Sequence, residues 1–266
     1  MASVTSPQQR QAACRNADRA SRQSLGISCS TVSFHDLSLR EALACAADCG
    51  FRWVDLDVRE GGPVEPVSVR EDYETQHLLI GFGAAQAGIA VSSLCVHAPN
   101  QTEDEALRLV RSACNLSNAL GVGIVTFAPP EPDSLGGLPQ WLAAARERET
   151  QLRVLASGDL LVQLLDPGRP ESIALSLSDL CAAARNGVDL EAVLPRVHCL
   201  YVDVRSTDEA SGEWALTDEE RRLLAELTRD SPDSRVVLRC CHVADLDWRK
   251  RLLSRSREAT RALLAS

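Results

Sequence analysis

The sequence of 266 residues is almost without lysine: of its 28 lysine and arginine residues, only Lys250 is a lysine. Schiff-base catalysis and pyridoxal phosphate both need a buried lysine amine. Lys250 stands between Arg249 and Arg251 in a predicted C-terminal helix, so lysine–imine chemistry is close to excluded. The accompanying preference for Arg, Ala and Leu is typical of a GC-rich bacterial genome.

Other features are missing as well. No stretch approaches the ~20 consecutive apolar residues of a membrane span, and a net charge of −9 argues against general nucleic-acid binding. The sequence has no Gly-x-Ser-x-Gly elbow and no phosphate-binding Gly-Lys-Ser/Thr loop, and the glycines of Gly81–Gly88 have the wrong spacing for a dinucleotide loop. We therefore expect a cytoplasmic protein that binds a small molecule, with no nucleic-acid or membrane partner; a homodimer stays open.

The sequence has ten cysteines, and no secretory signal precedes them. Residues 1–25 contain four arginines and no apolar segment, which favours a disordered tail over a transit peptide. We expect the cysteines to be reduced and mostly buried. Cys240, Cys241 and His242 make a poor chelate, because adjacent strand residues point to opposite faces.

Apolar segments of strand length alternate with helix-period segments from Gly26 onward. Ser38-x-x-Glu41, Thr102-x-x-Glu105 and Thr217-x-x-Glu220 are capping boxes that begin helices. Eight such units predict one TIM-barrel domain over 26–266, with a short outer helix after the fifth strand. The arginines of the last helix, from Arg249 to Arg261, are predicted to form a solvated face. The predicted strands are Gly26–Ser33, Trp53–Val58, Ile89–His97, Gly123–Ala128, Leu152–Ala156, Ile173–Leu177, Val197–Val204 and Arg235–Cys240.

In such a barrel, chemistry occurs where the strands end. Side-chain alternation nominates polar residues on every strand but the fifth. They are Ser30 with Ser33 and His35, Asp55 and Asp57, His97 with Asn100, Thr126, Ser176 and Asp179, Asp203 and Arg205, and Arg239.

Three segments have a recognisable pattern: Gly26–Leu56, Gly88–Pro99 and Leu120–Pro130. They resemble the sugar phosphate isomerase/epimerase family, whose members are TIM barrels similar to xylose isomerase, and the resemblance is clearest over residues 26 to 145. It implies a divalent metal held by four side chains at strand ends. They are a Glu on the fifth strand, an Asp on the sixth, a His or Gln on the seventh and a Glu on the eighth. On those positions this sequence has Leu155, Ser176 with Asp179, Leu200 and Arg239.

Aliphatic side chains and a guanidinium cannot supply the anionic oxygens that a hard cation needs. We therefore expect no metal and no other cofactor. The sequence favours an isomerase, epimerase, lyase or cyclase that transfers a proton next to a carbonyl, in bacterial biosynthesis. Its expected catalytic residues are Asp57, His97, Asp203 and Arg239, and its expected substrate-binding residues are Ser30, Asn100, Ser176, Asp179 and Arg205.

Each assignment has a structural alternative: His97 as a hydrogen-bonded rim residue, and Arg239 as the ion-pair partner of Asp203 or Asp179. Two alternatives concern the whole chain: a non-catalytic barrel that binds a ligand or a protein, and a conventional metal isomerase whose ligands stand at other positions than those assigned above.

Overall fold

The computed structural model describes residues 26–99, 101–130, 136–156, 158–164, 172–205, 216–230 and 234–264. Eight parallel strands, paired in sequence order and closed by β1 against β8, form a barrel. The predicted barrel is therefore confirmed. The strands are β1 (Ile27–Ser30), β2 (Trp53–Val58), β3 (Ala90–His97), β4 (Ile124–Ala128), β5 (Gln151–Ala156), β6 (Ile173–Ser176), β7 (Val197–Asp203) and β8 (Arg235–Arg239).

Helices follow the strands and surround the barrel. The capping boxes at Ser38, Thr102 and Thr217 are all formed. The helix after β5 has only seven residues in the described part of the chain, as predicted. The α-helices are α1 (Leu39–Asp48), α2 (Pro66–Glu71), α3 (Tyr73–Ala87), α4 (Glu103–Ala119), α5 (Leu138–Arg146), α6 (Gly158–Leu164), α7 (Leu177–Arg185), α8 (Leu190–Val193), α9 (Asp218–Asp230) and α10 (Leu246–Leu264).

The first strand is shorter than predicted. It ends at Ser30, whose hydroxyl accepts from Val32 N and caps a 3-10 helix over Thr31–Phe34. Ser33 lies in this 3-10 helix, and its hydroxyl accepts from Cys240 N, just past the carboxyl end of β8, at 2.9 Å. His35 lies exposed beyond this turn. A role for Ser33 and His35 at the mouth stays a prediction.

The prediction of a solvated arginine face on α10 is wrong for Arg249, which is 2% exposed. Its guanidinium donates to Asp36 and to the backbone oxygens of Ser33 and Val243. Paired in this way, the charge is stable inside the protein. Arg249 thus joins α10 to the segment after β1, where the barrel closes.

The hydrophobic core of the protein has two layers. The larger lies between the strands and the helices, and the smaller fills the barrel interior around Cys95, Cys199 and Tyr201. All nine cysteines of the described residues are free thiols, and only Cys241 is not fully buried. No helix within these residues has the length and apolarity to cross a bilayer. Residues 1–25, including Cys14, lie outside the described residues.

Candidate active site

Asp57, Arg59 and His97 form a hydrogen-bonded cluster at the carboxyl ends of β2 and β3. Arg59 donates through Nε and Nη2 to the two carboxylate oxygens of Asp57, at 2.8 Å for Nη2. His97 Nε2 lies 3.1 Å from Asp57 Oδ2 and 2.9 Å from Arg59 Nη2. Asp57 N donates to Thr31 Oγ1 at 2.8 Å, which fixes the backbone there. The cluster joins three groups that move or stabilise charge.

The charges within this cluster favour an ionised Asp57. Burial raises the pKa of the Asp57 carboxyl, but the hydrogen bonds from His97 and Arg59 outweigh it and hold the pKa below its ordinary value. Burial also lowers the pKa of Arg59, and Asp57 more than compensates. Asp57 is therefore a fixed anion, suited to orient and stabilise an imidazolium rather than to take protons itself.

Arg239 forms a second rigid group on the other side of the mouth. Its Nε and Nη2 donate to the carboxylate of Asp203 at 2.9 and 3.0 Å. Its guanidinium carbon lies 4.8 Å from the centre of the Tyr201 ring, in cation–π geometry. Since Asp203 occupies one edge of the guanidinium, Nη1 remains as the nitrogen that can donate to a ligand.

Asp55 lies fully buried below these two groups. Ser93 Oγ donates to Asp55 Oδ1 at 2.5 Å, and the Tyr201 hydroxyl donates to Oδ2 at 3.2 Å. Burial is the main cause that raises the pKa of Asp55 from 3.8 to about 6. Tyr201 thus connects a carboxyl that titrates near neutral pH to the arginine above it.

Ser176 and Asp179 lie at the start of α7. Ser176 Oγ accepts from Asp179 N at 3.0 Å and donates to Asp179 Oδ2 at 2.5 Å. Both residues and Arg239 line a cavity of about 270 Å³ at the barrel mouth. Its other lining residues are apolar: Ala128, Pro129, Leu155, Ala156 and Leu160.

The remaining candidates are spread out. Ser30 is buried as a helix cap, and Thr126 is buried with a hydroxyl that has no hydrogen-bond partner. Arg205 is exposed beyond the end of β7. Asn100 lies outside the described residues. The structure therefore brings together Asp57 with His97, Asp203 with Arg239, and Ser176 with Asp179.

The metal-ligand positions that the resemblance implies do not fit a divalent cation. Leu155 and Arg239 line the cavity in place of two carboxylates, and Arg239 would oppose a cation there. The placement of Leu200 at the mouth is wrong, because Leu200 is buried in the outer core. Its neighbour Tyr201 points into the barrel instead. Asp179 supplies the one carboxylate among these positions.

A different group, Asp57, Cys95 and His97, has donor atoms within 4.8 Å of one another. Arg59 Nη2 lies 2.8 Å from Asp57 Oδ2 and 2.9 Å from His97 Nε2, so a positive charge already stands where a cation would have to bind two of the three groups. Burial raises the pKa of the Cys95 thiol well above its ordinary value, which disfavours the thiolate that a metal would need.

Sequence reasoning missed two residues of the site. Arg59 comes two residues after Asp57, and Tyr201 two residues before Asp203. Tyr201 shares a face of β7 with Asp203, and Arg59, one residue past the end of β2, continues the alternation of Asp55 and Asp57, so strand alternation could have found both.

Comparison with known proteins gives the same architecture. No family model matches the sequence, and no curated protein matches it. A xylose isomerase-like TIM-barrel protein from Mycobacterium smegmatis, solved in complex with magnesium, superposes with a TM-score of 0.66 at 14% identity. The alignment covers 91% of this chain and 97% of that one. The chain has the xylose isomerase-like TIM-barrel fold.

Two epimerases share this xylose isomerase-like fold. D-allulose 3-epimerase from Methylomonas sp., in complex with D-allulose, has a TM-score of 0.63 at 13% identity, covering 90% of this chain and 97% of its own. The 3-keto-D-glucoside 4-epimerase from E. coli has a TM-score of 0.58 at 13% identity, covering 91% and 99%. At these identities the likeness concerns the fold.

Proposed function

We propose that this chain is a metal-independent enzyme that transfers a proton next to the carbonyl of a small oxygenated substrate. Isomerisation or epimerisation is the favoured reaction, with dehydration or cyclisation as related outcomes, in bacterial biosynthesis. The observation that carries the proposal is Arg239: it edges the cavity, held by Asp203 and Tyr201, at a position where a metal ligand would stand.

His97 transfers the proton in this proposal. Asp57, kept ionised by Arg59, accepts a hydrogen bond from His97 Nε2 and thereby leaves Nδ1 as the nitrogen that takes a proton. The imidazolium that forms is stabilised by the same carboxylate. His97 pairs in register with Ala128, which lines the cavity, so the proposal brings the substrate from the cavity to the imidazole on the neighbouring strand.

Arg239 stabilises the negative charge that develops on the carbonyl oxygen when the neighbouring carbon loses its proton. A guanidinium held in place beforehand needs no reorganisation during the reaction, and such donors contribute about 10²–10³-fold to the rate. Asp203 positions Arg239 and is not itself the base, because both its oxygens accept from the guanidinium. Ser176 and Asp179, which line the same cavity, supply polar contacts to the substrate.

The second candidate is a non-catalytic barrel that binds a small ligand or a protein. The observation in its favour is that Asp57 and Asp203 each already have an arginine partner. Because the charges of both carboxylates are already neutralised by these ion pairs, neither needs a substrate as its partner.

Hydrogen exchange separates the two. The protein is dialysed against EDTA and incubated in D₂O with a panel of ketoses, α-hydroxyketones and 2-keto acids. Proton NMR follows the loss of the signal from the hydrogen on the carbon next to the carbonyl. We expect exchange with at least one class, reduced at least about 100-fold by His97→Gln or Arg239→Gln. Arg222→Gln, on the exposed side of α9, is the control and should exchange like the wild type.

Exchange with none of the three classes by a folded protein would favour the binding barrel. Exchange that appears only after Mg²⁺, Mn²⁺ or Zn²⁺ is added would refute metal independence.

A further inference from the structure

The cavity at the barrel mouth has two chemically different walls. Five aliphatic or proline side chains form one wall: Ala128, Pro129, Leu155, Ala156 and Leu160. They come from the ends of β4 and β5 and from α6. A sugar with a hydroxyl on each carbon would lose hydrogen bonds to water on this wall and find no partner for them, which is costly.

The opposite wall offers few polar groups. Arg239 can donate through Nη1, and the Asp179 oxygen Oδ1 can accept, since Ser176 binds Oδ2. One donor facing one acceptor matches a carbonyl beside a hydroxyl: Arg239 binds the carbonyl oxygen, and Asp179 receives the hydroxyl proton. The side chain attached to that pair of carbons must then lie against the apolar wall.

We infer that the cavity takes an α-hydroxyketone that carries one aliphatic or aromatic substituent, and not a polyhydroxylated sugar. This inference rests on the proposed function for its chemistry. His97 removes the proton from the carbon that bears the hydroxyl. The electron pair forms the carbon–carbon double bond of an enediolate while the carbonyl π pair moves onto the carbonyl oxygen, where Arg239 stabilises the negative charge. Return of the proton to the other face of the same carbon gives the epimer. Return of the proton to the former carbonyl carbon gives the isomeric hydroxyketone, and Asp179 then carries the hydroxyl proton to the former carbonyl oxygen, so no other reactant is needed.

The Leu155 side chain makes a direct test possible. It is partly exposed, so a carboxylate there can reach water, and it stands where the resemblance places the first metal-binding Glu. Leu155→Glu and Leu160→Ser each add a polar group to the apolar wall without changing Arg239, Asp179 or His97.

The probes are 1-hydroxy-1-phenylpropan-2-one and D-fructose, with binding measured by titration calorimetry. We expect the wild type to bind the phenyl compound at least about tenfold more tightly than D-fructose, as burial of one ring on an apolar wall would give. Leu155→Glu and Leu160→Ser should each reduce that preference at least about fivefold. Val67→Glu, an exposed apolar site on α2, is the matched control and should leave it unchanged.

The outcomes separate this inference from the proposed function. Tighter binding of D-fructose, with hydrogen exchange on it, would overturn the preference for an apolar substituent and keep the enzyme. Tight binding of the phenyl compound without exchange on any of the three carbonyl classes would keep the ligand class and overturn catalysis. An unchanged preference in both wall variants would overturn the assignment of the ligand to this cavity.

Discussion

Replacement of Asp55 by Asn should make the protein more stable at neutral pH, since the barrel interior opposes ionisation of this carboxyl group. Burial raises the pKa of Asp55 from 3.8 to about 6. A tenfold change in proton affinity corresponds to about 1.4 kcal/mol, so the ionised form costs the folded state about 3 kcal/mol. Asn keeps the shape of Asp and can still accept one hydrogen bond from Ser93 or Tyr201.

The direction of the pH effect follows from the raised pKa. The folded protein holds this proton more tightly than the unfolded chain, so Asp55 destabilises the fold increasingly as the pH rises from about 4 through 6, after which the cost is constant. The Asn variant has no such group. The free energy of unfolding of Asp55→Asn minus that of the wild type should therefore rise by about 2 kcal/mol between pH 4.5 and pH 8.

Urea denaturation followed by circular dichroism, at half-unit steps of pH, measures this difference. The control is Asp247→Asn, an exposed carboxyl in the first turn of α10, for which the difference should vary by only a few tenths of a kcal/mol. A difference for Asp55→Asn that stays level, or that falls as the pH rises, would refute the interpretation of Asp55 as a carboxyl that is costly to ionise.

Three further measurements test other parts of the structure. Arg249→Met leaves Asp36 and backbone oxygens without their donor, so the free energy of unfolding should fall by about 3–5 kcal/mol. The control Arg261→Met, at an exposed site on α10, should change it by less than about 0.5 kcal/mol. Equal effects of the two variants would contradict the structural role of the buried Arg249. Treatment with a chelator, with the metal content checked by elemental analysis, should leave both the melting temperature of the protein and its hydrogen exchange on the substrate unchanged. A stoichiometric divalent metal that is lost together with activity would contradict metal independence. The homodimer stays a prediction, and the exposed apolar side chains of α3 are its candidate surface. Light scattering should show a dimer that Phe82→Glu dissociates and Arg111→Glu does not, whereas a monomeric wild type would remove the prediction.

The fold was predictable because apolar periodicity and capping boxes are local signals. The seven strands after β1 begin and end within one residue of their predicted bounds. β1 was predicted too long because Thr31 and Val32 have high strand propensity. The cap from Ser30 and the bond from Cys240 to Ser33 outweigh that propensity locally.

The candidate site was predictable in its residues and less so in its pairings. Strand alternation brought Asp57, His97, Asp203 and Arg239 to one end of the barrel. It could not show that Arg59 binds Asp57 or that Tyr201 supports Arg239, because such contacts depend on side-chain direction across the barrel. The buried position of Arg249 depends on the loop after β1, which lies more than 200 residues away in the sequence.

The closure of the barrel has a consequence for synthesis of the chain. β1 pairs with β8, and Arg249 of α10 then holds the turn that follows β1. About 200 residues separate the two strands, and at ribosomal rates of 5–20 residues per second β1 waits roughly 10–40 s for its second neighbour. During that interval its open edge is available to other chains. A nascent protein stalled before Arg235 should therefore need a chaperone to stay in solution.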